Sequence, residues 1–170
     1  MRYALVLSLL AAVAEAKKAP LSAVAVVRGT AEGSAVSGTV RFTQTGDGLE
    51  FVGKISGLPA GQHGFHIHEY GLCGDSGKDA GGHYNPHDAP HGHALKHGPK
   101  KAHAGDLGNI VAREDGSAVV SGTIAKLTLS GGKRWVAGRA VIVHEKADDF
   151  SQPLGNAGGR IGCGVIAVSP

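Results

Sequence analysis

The sequence is poor in aromatic residues, in long hydrophobic runs and in net charge. Phenylalanine, tryptophan and tyrosine make up 5% of its 170 residues, and the formal net charge is +3. No run of basic residues is interleaved with aromatic ones, so the pattern of a nucleic-acid-binding surface is absent. The sequence also lacks heptads, internal repeats and any segment that predicts a helix longer than a turn or two. Its length is sufficient for one domain with its own core and too short to indicate a second.

The longest apolar run covers residues 3–13, near the amino terminus. Because a membrane-spanning helix needs about 20 residues, this run is too short to cross a bilayer, and we expect no membrane partner. Arg2 before the run and the small-residue segment at 14–16 after it are typical of a secretory signal peptide. We predict that residues 1–16 are the signal peptide, that residues 17–170 form the mature domain, and that the protein is exported, either periplasmic or secreted. A buried amino-terminal helix is the alternative interpretation.

Cysteine is nearly absent, and the two cysteines of the chain are Cys73 and Cys163. An exported protein meets oxidising conditions, in which two cysteines can pair. Two free thiols are the alternative.

What the sequence contains in quantity is glycine, with 28 residues, together with many small and β-branched residues. This composition favours short strands joined by tight turns. Apolar residues alternate with polar ones in the first three candidate strands, which indicates an antiparallel meander. We predict strands at 21–28, 35–43, 49–55, 64–69, 116–124, 139–144 and 162–168, with an eighth within 107–113. The predicted fold class is all-β: an eight-stranded sandwich or flattened barrel that carries long functional loops.

The segment at 70–108 contains no periodic pattern. Such a long irregular loop is uncommon in a compact domain unless it has a function. Nine of the ten histidines lie between residues 63 and 103, and histidine is the commonest metal ligand near pH 7. We therefore predict that more than one metal ion orders this loop. A solvated histidine-rich loop that chelates metal without becoming ordered is the alternative.

Two histidines lie one residue apart in a predicted strand. Alternate residues of a strand point to the same face, so His66 and His68 should project together while Phe65 and Ile67 face the core. His144 ends a later predicted strand and joins the pair if the two strands are neighbours. Because imidazole suits copper and zinc, this arrangement predicts a metal site on a rigid scaffold.

The loop offers a second set of ligands. His83 stands in AGGHYNP, and His103 and Asp106 stand in HAGDLGN. Imidazoles combined with a carboxylate form the closed tetrahedral set of a structural zinc site. The glycines before His83 and the proline after it turn the chain sharply, which lets distant loop residues converge.

Five motifs in one order carry a resemblance to a known family: GFHIHE, AGGHYNP, HAGDLGNI, GRAVIVHEKADD and GNAGGRIGCGVI. They cover roughly residues 61–168. The sequence resembles the copper–zinc superoxide dismutases, and the short stretch between His144 and Arg160 is similar to that of the exported bacterial type. The resemblance implies a Greek-key fold with one copper and one zinc ion per subunit, as a monomer or a homodimer.

The resemblance also implies the ligands of each metal. The copper ligands would be His66, His68, His83 and His144, and the zinc ligands would be His83, His91, His103 and Asp106. His83 would bridge the two ions as an imidazolate. His91 is taken as the third zinc histidine because it lies eight residues after His83, the spacing found in the family. His97, fourteen residues after His83, is the alternative.

Other roles follow from the same resemblance. Asp148 would link a copper ligand to a zinc ligand, with a turn residue as the alternative. Arg160 would stand beside the channel that leads to the copper and attract a small anion, with a surface charge as the alternative. Cys73 and Cys163 would form the disulfide within the subunit. His63 would bind backbone groups rather than a metal.

The resemblance implies an enzyme that disproportionates superoxide to O₂ and H₂O₂ and protects against oxidative stress outside the cytoplasm. Superoxide, a small anion, would be its partner, and no nucleic acid is expected. A metal-buffering protein without catalysis and a copper-only enzyme with a vacant zinc site are the alternatives. The remaining histidines, His87, His93 and His97, are expected to be solvated loop residues.

Overall fold

The computed structural model describes residues 21–169, so the predicted signal peptide at 1–16 lies outside the described residues. The strands are β1 (Ser22–Gly29), β2 (Ser37–Gln44), β3 (Gly48–Ser56), β4 (Gly61–His68), β5 (Asp106–Ala112), β6 (Ala118–Ala125), β7 (Ala140–His144) and β8 (Arg160–Ser169). One four-residue helix, α1 (Ala94–His97), and a 3₁₀ turn (Asp75–Ala80) lie between β4 and β5. The predicted all-β fold class is confirmed. Among the described residues, no helix is long and apolar enough to cross a membrane.

The strands form one antiparallel sheet in the order β5-β4-β7-β8-β1-β2-β3-β6. Its two end strands, β5 and β6, approach each other, so the sheet curls into a nearly closed barrel. The first three strands are consecutive neighbours, as the predicted meander requires. Pairing of β3 with β6 and of β4 with β7 joins strands that are distant in sequence, in the manner of a Greek key.

The period-two pattern determines which side chains fill the barrel. In β1, Ala23, Ala25 and Val27 are fully buried, whereas Val26 between them is 49% exposed. The interior also holds larger side chains from the other strands, namely Phe42, Leu49, Phe51, Ile55, Phe65, Ile67, Ile124 and Ile166. Burial of each such side chain contributes roughly 1.5–3 kcal/mol.

Two strands depart from this alternation because both of their faces are covered. In β4 every residue from His63 to His68 is buried, and in β7 all five residues are buried. Phe65 and Ile67 point into the barrel core, as predicted. His66 and His68, which alternate with them, face outward beneath the long loops that follow β4 and β7. This covered outer face of β4 and β7 carries the site described below.

A disulfide between Cys73 and Cys163 fixes the loop after β4 to β8. The two cysteines are separated by 90 residues. Closing a loop of this length stabilises the folded chain by about 4–5 kcal/mol in the chain-entropy account. The two free thiols considered as an alternative are not found, because both cysteines of the described chain are paired.

Candidate metal centre

The pairing of β4 with β7 brings three histidines together. Phe65 of β4 lies opposite Val143 of β7, so His144 comes level with Gly64, on the same face of the sheet as His66 and His68. The Nε2 atoms of His68 and His144 are 3.3 Å apart. His144 was expected to join His66 and His68 only if their two strands were neighbours, and β4 and β7 are neighbours.

Backbone hydrogen bonds hold the loop after β4 against that strand. Tyr84 N–H donates to the Ile67 oxygen at 2.9 Å, and Ile67 N–H donates to the Gly105 oxygen at 2.8 Å. An isolated β-bridge pairs His68 with His83. As a result, the ring of His83 lies 4.1 Å from that of His66, centroid to centroid. Residues 17 positions apart in the chain thus meet in one cluster.

A second cluster forms around the carboxylate of Asp106, the first residue of β5. Its Oδ1 lies 2.8 Å from His83 Nδ1 and 3.2 Å from His103 Nδ1, and its Oδ2 lies 2.9 Å from His91 Nδ1. All four residues are buried. The backbone N–H groups of Gly92 and His103 donate to Oδ2 and fix the carboxylate in this position.

His83 belongs to both clusters. Within each four-residue group, the candidate ligand atoms lie within 4.8 Å of one another. Because His83 Nδ1 is directed at Asp106, the Nε2 atom on the other side of its ring is left for the first group. One imidazole can therefore serve two ions. The groups are His66, His68, His83 and His144, and His83, His91, His103 and Asp106.

Hydrogen bonds to the outer nitrogens set the tautomers of the first group. His68 Nδ1 donates to the Gly81 oxygen at 3.0 Å, and His144 Nδ1 donates to the Gly158 oxygen at 3.3 Å. Each Nε2 atom then carries a lone pair. Two lone pairs that face each other at 3.3 Å repel, and a cation between them removes the repulsion.

Asp148 fixes the outer nitrogens of one histidine from each group. Its Oδ2 accepts from His66 Nε2 at 2.9 Å, and its Oδ1 accepts from His91 Nε2 at 2.9 Å. The inner Nδ1 atom of His66 is buried and has no hydrogen-bond partner, and the buried Nδ1 atoms of His91 and His103 face only the Asp106 carboxylate. Buried polar atoms are nearly always satisfied. A metal ion in each group would give His66 Nδ1 its missing partner and would lie between Asp106 and the other two nitrogens.

Burial keeps three histidines of the first group, His68, His83 and His144, neutral. Desolvation, assisted by neighbouring imidazoles, lowers the pKa of His68 to about 2, of His83 to about 4 and of His144 to about 3. At neutral pH their lone pairs are therefore free to bind a cation.

The second group places buried histidines beside negatively charged carboxylates. Burial alone would raise the pKa of Asp106, but the surrounding histidines hold it well below its usual range. Burial alone would lower the pKa of His91, but the carboxylates of Asp106 and Asp148 raise it to about 9. The proton on His91 occupies the place that a cation would take, so metal binding must displace it.

A cavity of about 310 Å³ opens onto the first group, and its wall includes His68, His83, His144 and Arg160. The Arg160 guanidinium donates to the backbone oxygens of Gly77 and Gly81, at 2.6 Å each. Burial lowers the pKa of Arg160, yet arginine stays charged in proteins. The only cation on this wall thus faces the same space as three of the imidazoles.

The structure separates the other predicted histidines from both groups. His97 is exposed at the end of α1, whereas His91 is buried against Asp106. His63 is buried, and its ring nitrogens lie 2.8 Å from the backbone oxygens of His144 and Pro59. His87 and His93 are half-buried and belong to neither group.

Two residues that hold the site are not among the predicted site residues. Asn109 accepts from the Asp148 N–H at 2.7 Å and donates to the Asp148 oxygen at 2.8 Å. Gln152 makes the corresponding pair of bonds with His91. Asn109 lies within the HAGDLGNI motif, so the sequence could have indicated its role in supporting the site. No spacing or motif indicates Gln152.

The fold and the site together define a β-barrel protein with a paired metal centre. The family model for copper/zinc superoxide dismutase (SODC) matches residues 36–166, and the chain belongs to that family. Copper and zinc are the cofactors that the family implies, and the two buried groups fit them.

Two known proteins show how near the similarity is. The chain is 44% identical, over 138 residues, to the extracellular superoxide dismutase [Cu-Zn] of Caenorhabditis elegans, covering 77% of this chain and 61% of that protein. It thus spans about three fifths of the length of this curated relative. The crystal structure of the clock protein EA4 superposes with a TM-score of 0.77 at 37% identity, covering 92% of this chain and 100% of that one.

Proposed function

We propose that this protein is an enzyme that disproportionates superoxide to O₂ and H₂O₂, with one copper and one zinc ion per subunit. The observation that carries the proposal is the pair of buried four-residue groups that share His83. A buried imidazole common to two groups of ligands has no evident use in a protein that only stores metal.

The kinds of donor atom in each group support one assignment of the two metals. Copper would be held by His66, His68, His83 and His144, an all-nitrogen set that opens onto the cavity. Zinc would be held by His83, His91, His103 and Asp106, a closed set that includes a carboxylate. Bound copper supplies the one-electron steps that oxidise one superoxide to O₂ and reduce a second to peroxide, whereas zinc has no redox chemistry.

The protein's own groups supply protons and orientation. His83 Nδ1 is directed at Asp106, so Nε2 is the nitrogen near the cavity and can hold a proton and pass it to the reduced product. The second proton that balances H₂O₂ comes from water. Gly81 and Gly158 oxygens keep the rings of His68 and His144 from turning, so the copper ligands keep their orientation throughout the cycle.

Arg160 would attract the substrate. Superoxide is a small anion, and the guanidinium lies on the wall of the cavity that leads to His68, His83 and His144. Two backbone oxygens hold this cation in place without neutralising it. Its fixed position makes it suited to draw an anion inward and to hydrogen-bond it.

Metal analysis of the purified protein combined with a superoxide-consumption assay tests the proposal. We expect one copper and one zinc per chain and rapid consumption of superoxide. Both metals without consumption would support the metal-buffering alternative. Full activity with copper alone would support the copper-only alternative, which the buried His103 and Asp106 argue against.

We also propose that the protein is exported and of the bacterial type. Export is supported by the signal-like residues 1–16, by the Cys73–Cys163 disulfide and by the relative whose name describes it as extracellular. The short stretch between His144 and Arg160 supports the bacterial type. Periplasm or secretion, and monomer or homodimer, stay open predictions for fractionation and sedimentation to decide.

A further inference from the structure

A second connection between the two long loops lies beside the Asp148 carboxylate. Gln152, in the loop after β7, donates from Nε2 to the His91 backbone oxygen at 2.9 Å, and its Oε1 accepts the His91 backbone N–H at 3.0 Å. One side-chain amide thus binds both backbone polar groups of a single residue, as a neighbouring strand would do. These bonds hold the His91 backbone independently of its ring.

A tight turn fixes the position of Gln152. Gly155 N–H donates to the Ser151 oxygen at 2.8 Å, which closes the turn around Gln152. Gly155 has a φ of 73°, and a Cβ there would lie 1.8 Å from Asp148 Oδ1 and 2.6 Å from His91 Nε2. Only glycine lets the turn pass so close to the carboxylate, so the turn and the Asp148–His91 contact form one packed unit.

The ring of His91 is held from its outer side as well. Asp148 accepts from Nε2 at 2.9 Å, and Phe150 stacks on the ring at 6.4 Å, centroid to centroid, with an angle of 19° between the planes. With the ring fixed at Nε2, the direction of Nδ1 depends on where the backbone stands. Gln152 sets that backbone position, and Nδ1 consequently lies 2.9 Å from Asp106 Oδ2.

We propose that Gln152 is a positioning residue for the zinc site. By binding both backbone groups of His91, it aims His91 Nδ1 at the position beside Asp106 and so couples the loop after β7 to the affinity for zinc. This inference rests on the proposed assignment of His91 as a zinc ligand. The copper ligands His66, His68 and His144 have no bond to Gln152 among the described contacts.

Gln152→Met tests the role, because methionine has a similar length but makes neither hydrogen bond. Transfer of zinc from the copper- and zinc-loaded protein to a chelator measures the affinity. We expect zinc binding about tenfold weaker than in the wild type, the lower end of the range for residues that hold a metal ligand. The effect is at that end because Gln152 is exposed and water partly replaces its bonds. Copper content should be unchanged.

A spectroscopic readout separates positioning from general support of the fold. With Co²⁺ in place of zinc, the visible ligand-field spectrum reports the direction of each ligand, and it should shift in Gln152→Met. Gln152→Glu can accept the His91 N–H but cannot donate to the His91 oxygen, so it should also weaken zinc binding. Gln62→Met, an exposed glutamine near the opposite end of β4 from His68, is the matched control.

Each outcome decides the matter. Wild-type zinc affinity and an unchanged cobalt spectrum in Gln152→Met would overturn the proposal. Equal loss of copper and zinc would also overturn it, since that result means general loosening. If His91→Ala keeps its zinc, the ligand assignment within the proposed function has failed, which is a different result from failure of the Gln152 inference alone.

Discussion

Reversing the charge of Arg160 tests whether the cavity is the route of an anionic substrate. The guanidinium lies on the cavity wall with three imidazoles, and it is not a metal ligand because it has no lone pair to donate. Arg160→Glu should therefore leave the copper and zinc contents unchanged. It should slow superoxide consumption, because a carboxylate there repels the substrate.

The size of the effect follows from Coulomb's law. Two unit charges about 5 Å apart interact by about 3 kcal/mol at an effective dielectric constant of about 20. Charge reversal replaces this attraction by a similar repulsion. Arg160 is only half-buried, so solvent screening reduces the change to roughly 2–3 kcal/mol. Since 1.4 kcal/mol corresponds to about a factor of ten, we expect the rate at low salt to fall by about 30- to 140-fold.

A charge series makes the assay decisive. Glutamate also loses the donors to Gly77 and Gly81, so Arg160→Lys, which keeps the charge, and Arg160→Met, which removes it, are measured beside Arg160→Glu. Stopped-flow consumption of superoxide should give the order Arg, Lys, Met, Glu from fastest to slowest. The differences should shrink as salt rises, because the Debye length is about 10 Å at 0.1 M and shorter above that. If Arg160→Glu keeps both metals and the full rate at low salt, electrostatic attraction by Arg160 plays no part.

The remaining predictions concern the zinc ligand, the disulfide and export. His91→Ala should lose zinc and disturb the copper spectrum through the shared imidazole, whereas the control His97→Ala should leave both intact; the reverse ranking in metal analysis would refute the assignment. Cys73→Ser should lower the free energy of unfolding by about 4–5 kcal/mol and weaken zinc binding while the strands persist in circular dichroism, and thiol titration of the unfolded wild type should find no free sulfhydryl. Protein from its native host should begin at Lys17 by intact mass, and a retained Met1 would contradict a cleaved signal peptide.

The strands β1 and β2 were predictable because each has one buried face, which leaves a period-two pattern in the sequence. In β1 the buried Ala23, Ala25 and Val27 alternate with residues that face outward, and the prediction is wrong there by one residue at each end. β5 was harder, since its first residue, Asp106, is a buried polar group that reads as part of a loop. Pairing of Asp106 with His66 on β4 makes it a strand residue.

The path of the loop after β4 leaves no periodic mark. Three backbone contacts, Tyr84 to Ile67, Ile67 to Gly105 and the bridge between His68 and His83, bring it onto the strand. Such contacts are made by backbone groups that every residue possesses, so the pattern of side chains along the sequence does not predict them. The motifs supplied the candidate ligands apart from His91, which was chosen by its spacing from His83, and the convergence of these residues required the structure.

Two separate connections join the metal groups, and this has a consequence for how the centre behaves. One runs through the ring of His83, which lies in both groups. The other runs from His66 through the Asp148 carboxylate to His91, with bonds of 2.9 Å on each side. Because Asp148 fixes the outer nitrogen of one histidine in each group, a change at one proposed ion should shift a histidine of the other group even without His83. We therefore expect the two groups to act as one centre, in which loss of zinc alters the orientation of His66 as well as that of His83.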